Sequence, residues 1–258
     1  MPNAVQKAMQ ILRILSDAHG HAITLAELTA ETGIPKSTIA HILKTLVEER
    51  YVQRVSHREG YMIGPELHLL TRYGRYGEDI IHECHPLLRY LNREGSGTAV
   101  FAMVKGGNKY IIDRVADDGV YPDEQANLLL EDLYRTVSCR VILENIPFHE
   151  ALEIFENIGL PTEKDSWPEV HDRRSFQNEL EQIKQHKCYY HYTIKDDIQW
   201  FAFAVPVFRE KYCIGALGLS IRKSMEEVGP DKDTFEKIEK MMIRCRRELE
   251  RRLCFDLL

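Results

Sequence analysis

Several things are missing from this chain, and each absence removes a class of function. The first residues lack a basic stretch running into an apolar one, so no secretory signal is expected. The most apolar run, residues 200–208, is far too short to span a bilayer, and no membrane partner is expected. No P-loop, dinucleotide fingerprint or nucleophile elbow occurs, so nothing argues for an enzyme or a bound cofactor. The cysteines (Cys84, Cys139, Cys188, Cys213, Cys245 and Cys254) are scattered without a CxxC pair, which reads as reduced core thiols in a cytoplasmic protein. His186, Cys188 and His191 fail as metal ligands because positions 188 and 191 of a strand face opposite sides, and His82, Cys84 and His85 do not share one helical face. No metal is expected.

Positive charge is also in short supply. The formal net charge is −6, but it is unevenly spread. Residues 1–77 carry nine Lys and Arg against seven Asp and Glu, a balance of +2, and the remaining residues balance to −8. A slightly basic head on an acidic body suits nucleic-acid contact by one end alone.

The informative stretch is 24–63. Thr24 and Glu27 make a T-x-x-E capping box that opens a short helix, and Gly33 ends it as a left-handed residue. Pro35 suits the start of the next helix. In that helix Ile39, Ile42, Leu43, Leu46 and Val47 point inward, and Lys36, Ser37, His41, Lys44 and Thr45 point outward. Two strands follow, over 51–55 and 60–63, with Arg54, His57 and Arg58 at or near the turn. This is the layout of a winged helix-turn-helix, whose second helix enters the major groove. The plainer readings are a solvated helix face and a charged edge strand guarding against aggregation.

The rest is expected to be α+β. Before the head, residues 5–18 predict a helix with Val5, Ala8, Met9, Leu12 and Leu15 on one face. After it, 66–76 predicts a linker helix with the stripe Leu67, Leu70 and Tyr73, suited to packing on a partner subunit. Residues 78–93 predict a helix kinked or broken at Pro86. Strands at 98–104 and 109–115 flank a hairpin turn at Gly106-Gly107-Asn108, and 117–125 reads as loop. Within 126–145 an extended run gives way to a helix whose boundary the periodicity does not settle. Helices at 148–158, 172–185 and 234–253, a loop at 159–171, and strands at 188–193, 200–208 and 212–221 complete a mostly antiparallel sheet with helical cover. Asp196 and Asp197 are either turn carboxylates or polar groups at a pocket mouth.

The order of these signals resembles the IclR-type family of bacterial transcriptional regulators over essentially the whole chain. The matching pieces are VQKAMQILRIL, ITLAELTAETGIPKSTIAHILKTLVEERYV, GYMIGPELHLL, FQNELEQIKQHKCYYHYTIKDD and FAFAVPVFREKYCIGALGLSI. The resemblance implies a winged helix-turn-helix over 1–64, a linker helix over 65–77 and a GAF-like antiparallel-sheet domain for effector binding and oligomerisation over 78–258. It implies a homodimer or homotetramer on a near-palindromic double-stranded DNA operator, and a small organic or aromatic acid as effector. Carried over residue by residue, it assigns DNA contact to Lys36, Ser37, Thr38, His41, Lys44, Arg54, His57 and Arg58. On the effector side it points to Thr136, Ser138, Cys139, Asp196, Asp197, Ala202 and Ser220. Cys139 and Arg140 stand where the family has Gly and Lys of a G-K-A segment, and Ala202 stands at a position often held by a pocket-facing Cys. Two other functions remain open on the residues: a small-molecule sensor whose head binds protein, and an enzyme using Asp196 or Asp197 as base.

Overall fold

The structure is a computed structural model that describes residues 3–18, 20–56, 58–72, 78–116, 133–162 and 167–255. His57 and Tyr73, the loop at 117–125, positions 126–132 of the segment 126–145 and positions 163–166 of the loop at 159–171 lie outside the described residues. The chain divides into two compact units, 1–76 and 77–258.

In the first unit, α1 (Ala4–Asp17), α2 (Leu25–Thr32) and α3 (Lys36–Glu48) precede a two-stranded antiparallel hairpin, β1 (Val52–Ser56) and β2 (Gly60–Ile63), and then α4 (Pro65–Arg72). Thr24 caps α2 reciprocally with Glu27: its hydroxyl accepts from the Glu27 N–H at 3.2 Å, and its N–H donates to the Glu27 carboxylate at 2.7 Å. Gly33 closes α2 at φ 66°. Pro35 lies just before α3 rather than inside its first turn. Ile11, Leu15, Leu28, Ile39, Leu43 and Val52 form the fully buried centre. The apolar face expected on α1 is rotated in the structure: Ile11 joins Leu15 inside, and Val5 and Met9 are exposed, as are Leu69 and Leu70 on α4.

The second unit is a five-stranded antiparallel sheet of order β4-β3-β7-β6-β5. Its strands are β3 (Thr98–Lys105), β4 (Asn108–Val115), β5 (Tyr189–Lys195), β6 (Ile198–Arg209) and β7 (Tyr212–Ser224). Alternation along the strands gives the sheet two unlike faces. Phe101, Phe203, Val205, Leu217 and Leu219 meet α5 (Glu78–Gly95) and α9 (Lys232–Phe255). Ala204 and Ala216 turn the other way, and their small side chains admit α6 (Val137–Asn145) close against the sheet. Outside α6 lie α7 (Phe148–Ile158) and α8 (Arg173–Lys184), so every residue of α6 from Val137 to Leu143 is buried. A helix covered all round has no polar face, which is why its start escapes a periodicity argument. α5 runs on past Pro86 to Gly95, without the break that proline predicts. Strands β5 and β6 extend further than expected because Asp196 and Asp197 (φ 53° and 57°) form a two-residue hairpin turn between Lys195 and Ile198.

Candidate nucleic-acid interface and ligand face

The head is assembled by a main-chain clip. Ile23 and Tyr61 pair as an isolated antiparallel bridge, which ties the start of α2 to the second wing strand. A cleft of about 290 Å³ results, bordered by Thr24, Leu25, Lys36, Arg54, Ser56 and Tyr61. Two residues singled out from sequence, Lys36 on α3 and Arg54 on β1, thus share one cleft although 18 positions separate them. The Arg54 guanidinium lies 5.6 Å from the Tyr61 ring centroid. The N–H groups of Leu25 and Ala26 open α2 at the same cleft, and the first N–H groups of a helix have no intrahelical acceptor. Backbone donors, a helix dipole and two cations are the chemistry that receives a phosphate oxygen. The opposing charge is Glu27, whose carboxyl is held below its usual range chiefly by the Thr24 N–H.

From the cleft the outer face of α3 continues through Ser37, Ala40, His41 and Lys44, all exposed. The Lys44 ammonium lies 3.8 Å from Glu48, one turn on. Thr38 is half-buried and lies off this stripe. At the wing tip Arg58 is exposed, and the Ser56 hydroxyl accepts from the N–H groups of Arg58 and Glu59 at 3.3 and 3.0 Å, fixing the turn.

On the second unit, strand register brings together residues that are scattered in sequence. His191 pairs with Ala202, Ala202 with Ser220, and Ser220 with Thr98. Register partners share a face, so these four form one row across β5, β6, β7 and β3, on the α6 side. Ser138 belongs to the same neighbourhood: its Cβ is 3.8 Å from where a side chain on Gly218 would begin, and Gly218 is two residues along β7 from Ser220. Thr136 precedes α6, and its buried hydroxyl finds no hydrogen-bond partner among the described residues. Cys139 is fully enclosed in the core between α6 and its neighbours. Asp196 and Asp197 are not brought to this row. Both are exposed at the hairpin tip, and Asp196 is five residues from His191, about 16 Å along an extended strand. Left-handed turn geometry, which Asp tolerates better than most residues, accounts for them.

Sequence reasoning missed His191 and Thr98 as members of the row and the part played by Arg140. Arg140 is fully buried on α6. Its Nε donates to the Tyr134 carbonyl at 2.7 Å, and its guanidinium lies 4.6 Å from the Trp167 ring centroid. It also bonds the Tyr189 hydroxyl, and Trp167 in turn donates to Glu179 at 3.3 Å. Burial, and next the Arg140 charge, push the His191 imidazole below its ordinary value. His191 is therefore poised as a neutral donor or acceptor at one end of the row. Alternation counted back from Ala202 through the tight 196–197 turn would have found it.

Among the described residues no helix is long and apolar enough to cross a membrane. The pattern of the IclR helix-turn-helix domain matches residues 4–56. The HTH-type transcriptional regulator TtgV of Pseudomonas putida is 30% identical over 114 residues, which are 44% of this chain and 43% of that protein. The chain thus spans less than half the length of that relative. An IclR transcriptional regulator from Alicyclobacillus acidocaldarius superposes with a TM-score of 0.71 at 18% identity, covering 98% of this chain and 99% of that one. An IclR homologue from Microbacterium hydrocarbonoxydans, solved in complex with 4-hydroxybenzoate, superposes with a TM-score of 0.70 at 15% identity, over 97% and 99%. Residues 4–56 thus match the IclR helix-turn-helix domain, and the chain as a whole shares the fold of solved IclR-type structures.

Proposed function

We propose that this protein is a sequence-specific transcriptional regulator that binds double-stranded DNA and is controlled by a small-molecule effector, without catalysis or a cofactor. The observation that carries this reading is the shared cleft of Lys36, Arg54 and the start of α2, continuous with the exposed face of α3. Lys36, Arg54 and Arg58 hold phosphates, and Ser37, His41 and Lys44 face base edges. His57 joins them at the wing tip on sequence grounds, and Thr38 acts from the flank. The head spans 1–64, a linker helix 65–77, and the effector and oligomerisation domain 78–258. A head and linker with a balance of only +2 over residues 1–77 bind weakly alone, so the protein acts as a homodimer or homotetramer in the cytoplasm. The exposed Val5 and Met9 on α1 and Leu69 and Leu70 on α4 support self-association.

The effector is a small organic or aromatic acid taken on the row of Ala202 and Ser220, with Ser138 and Thr136 from α6 facing it. The 4-hydroxybenzoate complex of the Microbacterium homologue supports that class. Footprinting on the promoters of its own and neighbouring operons tests the reading. Protection of a near-palindrome with half-sites about 34–36 Å apart is expected. Affinity equal to that for random DNA overturns it. A second reading, a head that binds protein, draws on Glu27 and Glu48 beside the cationic face. It predicts partner binding with little salt dependence.

A further inference from the structure

A second cavity lies at the opposite end of α6 from Thr136. It measures about 190 Å³ and sits between the C-terminal ends of α6 and α8, strand β6 and helix α9. Its floor is apolar, from Ala204, Pro206 and Phe208. Its rim carries Lys184, Lys187 and Arg246.

These cations are not equally accounted for. Lys184 is in the last turn of α8, where the helix dipole favours a positive charge; burial raises the Glu144 carboxyl on the cavity wall, and Lys184 opposes that rise. The Glu144 carboxylate accepts from the Asn145 amide, so it is already engaged within α6. Lys187 makes no ion pair among the described residues. Arg246 is the residue out of place. Its Nε is buried and makes no hydrogen bond among the described residues. The Glu250 carboxylate forms an ion pair with it at 3.4 Å, too long for a good hydrogen bond, and the same oxygen accepts from the Phe208 N–H at 3.0 Å. A buried donor left unsatisfied is costly, and an acceptor entering the cavity would relieve it.

We propose that this cavity is a second ligand site, for a short aliphatic carboxylate. The carboxylate accepts from Arg246 Nε and is neutralised by Lys187, and the methylenes lie on Ala204, Pro206 and Phe208. The size supports a compact acid, since the cavity falls below the roughly 300 Å³ at which drug-sized pockets begin. The site is separate from the Ala202–Ser220 face and does not depend on DNA binding by the head.

The test is calorimetric titration of the full chain with succinate at constant ionic strength, with inorganic phosphate as comparator. Saturable binding of succinate is expected, weakened about tenfold or more by Lys187→Ala and by Arg246→Lys, which keeps the charge but removes Nε. Ala202→Leu, which blocks the Ala202–Ser220 row elsewhere on the same side of the sheet, leaves it unchanged. Lys187 is exposed, so its variant keeps the fold, and matched thermal unfolding of the unliganded variants checks both. The assignment is overturned by absence of saturable binding, by binding of phosphate without succinate, by unchanged affinity in the two cation variants, or by loss in Ala202→Leu alone.

Discussion

The main chains of Ile23 and Tyr61 exchange two hydrogen bonds, each N–H donating to the other's carbonyl at 2.8 Å. The exchange makes the wing part of the helix-turn-helix rather than an appendage, and it brings Arg54 to the cleft of Lys36. It also dictates what may stand next to Tyr61. Gly60 has φ 103°, and a Cβ there would lie 2.2 Å from the Ile23 carbonyl oxygen. Gly60→Ala is therefore expected to destabilise the head by about 2 kcal/mol or more. Urea unfolding measures the loss, and DNA affinity should fall with it even though no DNA-facing side chain has changed.

If Lys36 and Arg54 both serve phosphates, each substitution by Ala should reduce affinity for all sequences alike. Each should also lower the slope of log affinity against log salt by about one. Lys44→Ala should do less, because Lys44 is highly exposed and already shares its charge with Glu48. Filter binding at several salt concentrations separates these outcomes. A change in sequence preference without a change in slope would move Lys36 or Arg54 from phosphate to base contact.

The head was largely legible in the sequence because its signals are local. Thr24 and Glu27 are three residues apart, Gly33 ends its own helix, and the inward positions of α3 repeat every turn. The ligand face was legible in part. Ala202 and Ser220 were identified singly, but their pairing depends on register between strands, and Thr98 enters the row through a strand more than 100 residues away. Asp196 and Asp197 were ambiguous in sequence because a turn and a pocket mouth both favour carboxylates. In sequence Arg140 stands only as a substituted Lys; its burial follows from α7 and α8 closing over α6, which no local pattern records.

His191 should make stability depend on pH. Its imidazole titrates below the ordinary value of 6.5, chiefly because of burial and then because of Arg140. The unfolded chain therefore takes up the proton first as pH falls through about 6.5, and stability declines from there downward. His191→Gln should flatten the decline between about pH 7 and pH 5.5, where carboxylates contribute little. Denaturant midpoints across that window are the measurement. An anionic ligand on the row should reverse part of the effect by raising the imidazole's value.

Arg140 is the last and most stringent case, because its guanidinium is buried on the ligand side of the sheet. It donates to the Tyr134 carbonyl and lies over Trp167, so it anchors the segment before α6 as well as the aromatic cluster outside it. Arg140→Ala removes stem, charge and donors together and should cost about 3–5 kcal/mol. Arg140→Met restores the stem but leaves the Tyr134 carbonyl and the Tyr189 hydroxyl without their donor, a cost of about 1–3 kcal/mol. Losing the charge should also let the His191 imidazole titrate higher, since Arg140 is its second depressing influence. Trp167 fluorescence in urea reports the first effect, and an NMR titration of His191 reports the second. If Arg140→Met matches the parent in stability while His191 still titrates higher, Arg140 is an electrostatic element of the ligand face and not a clamp. If stability falls and His191 does not move, the clamp is its whole role.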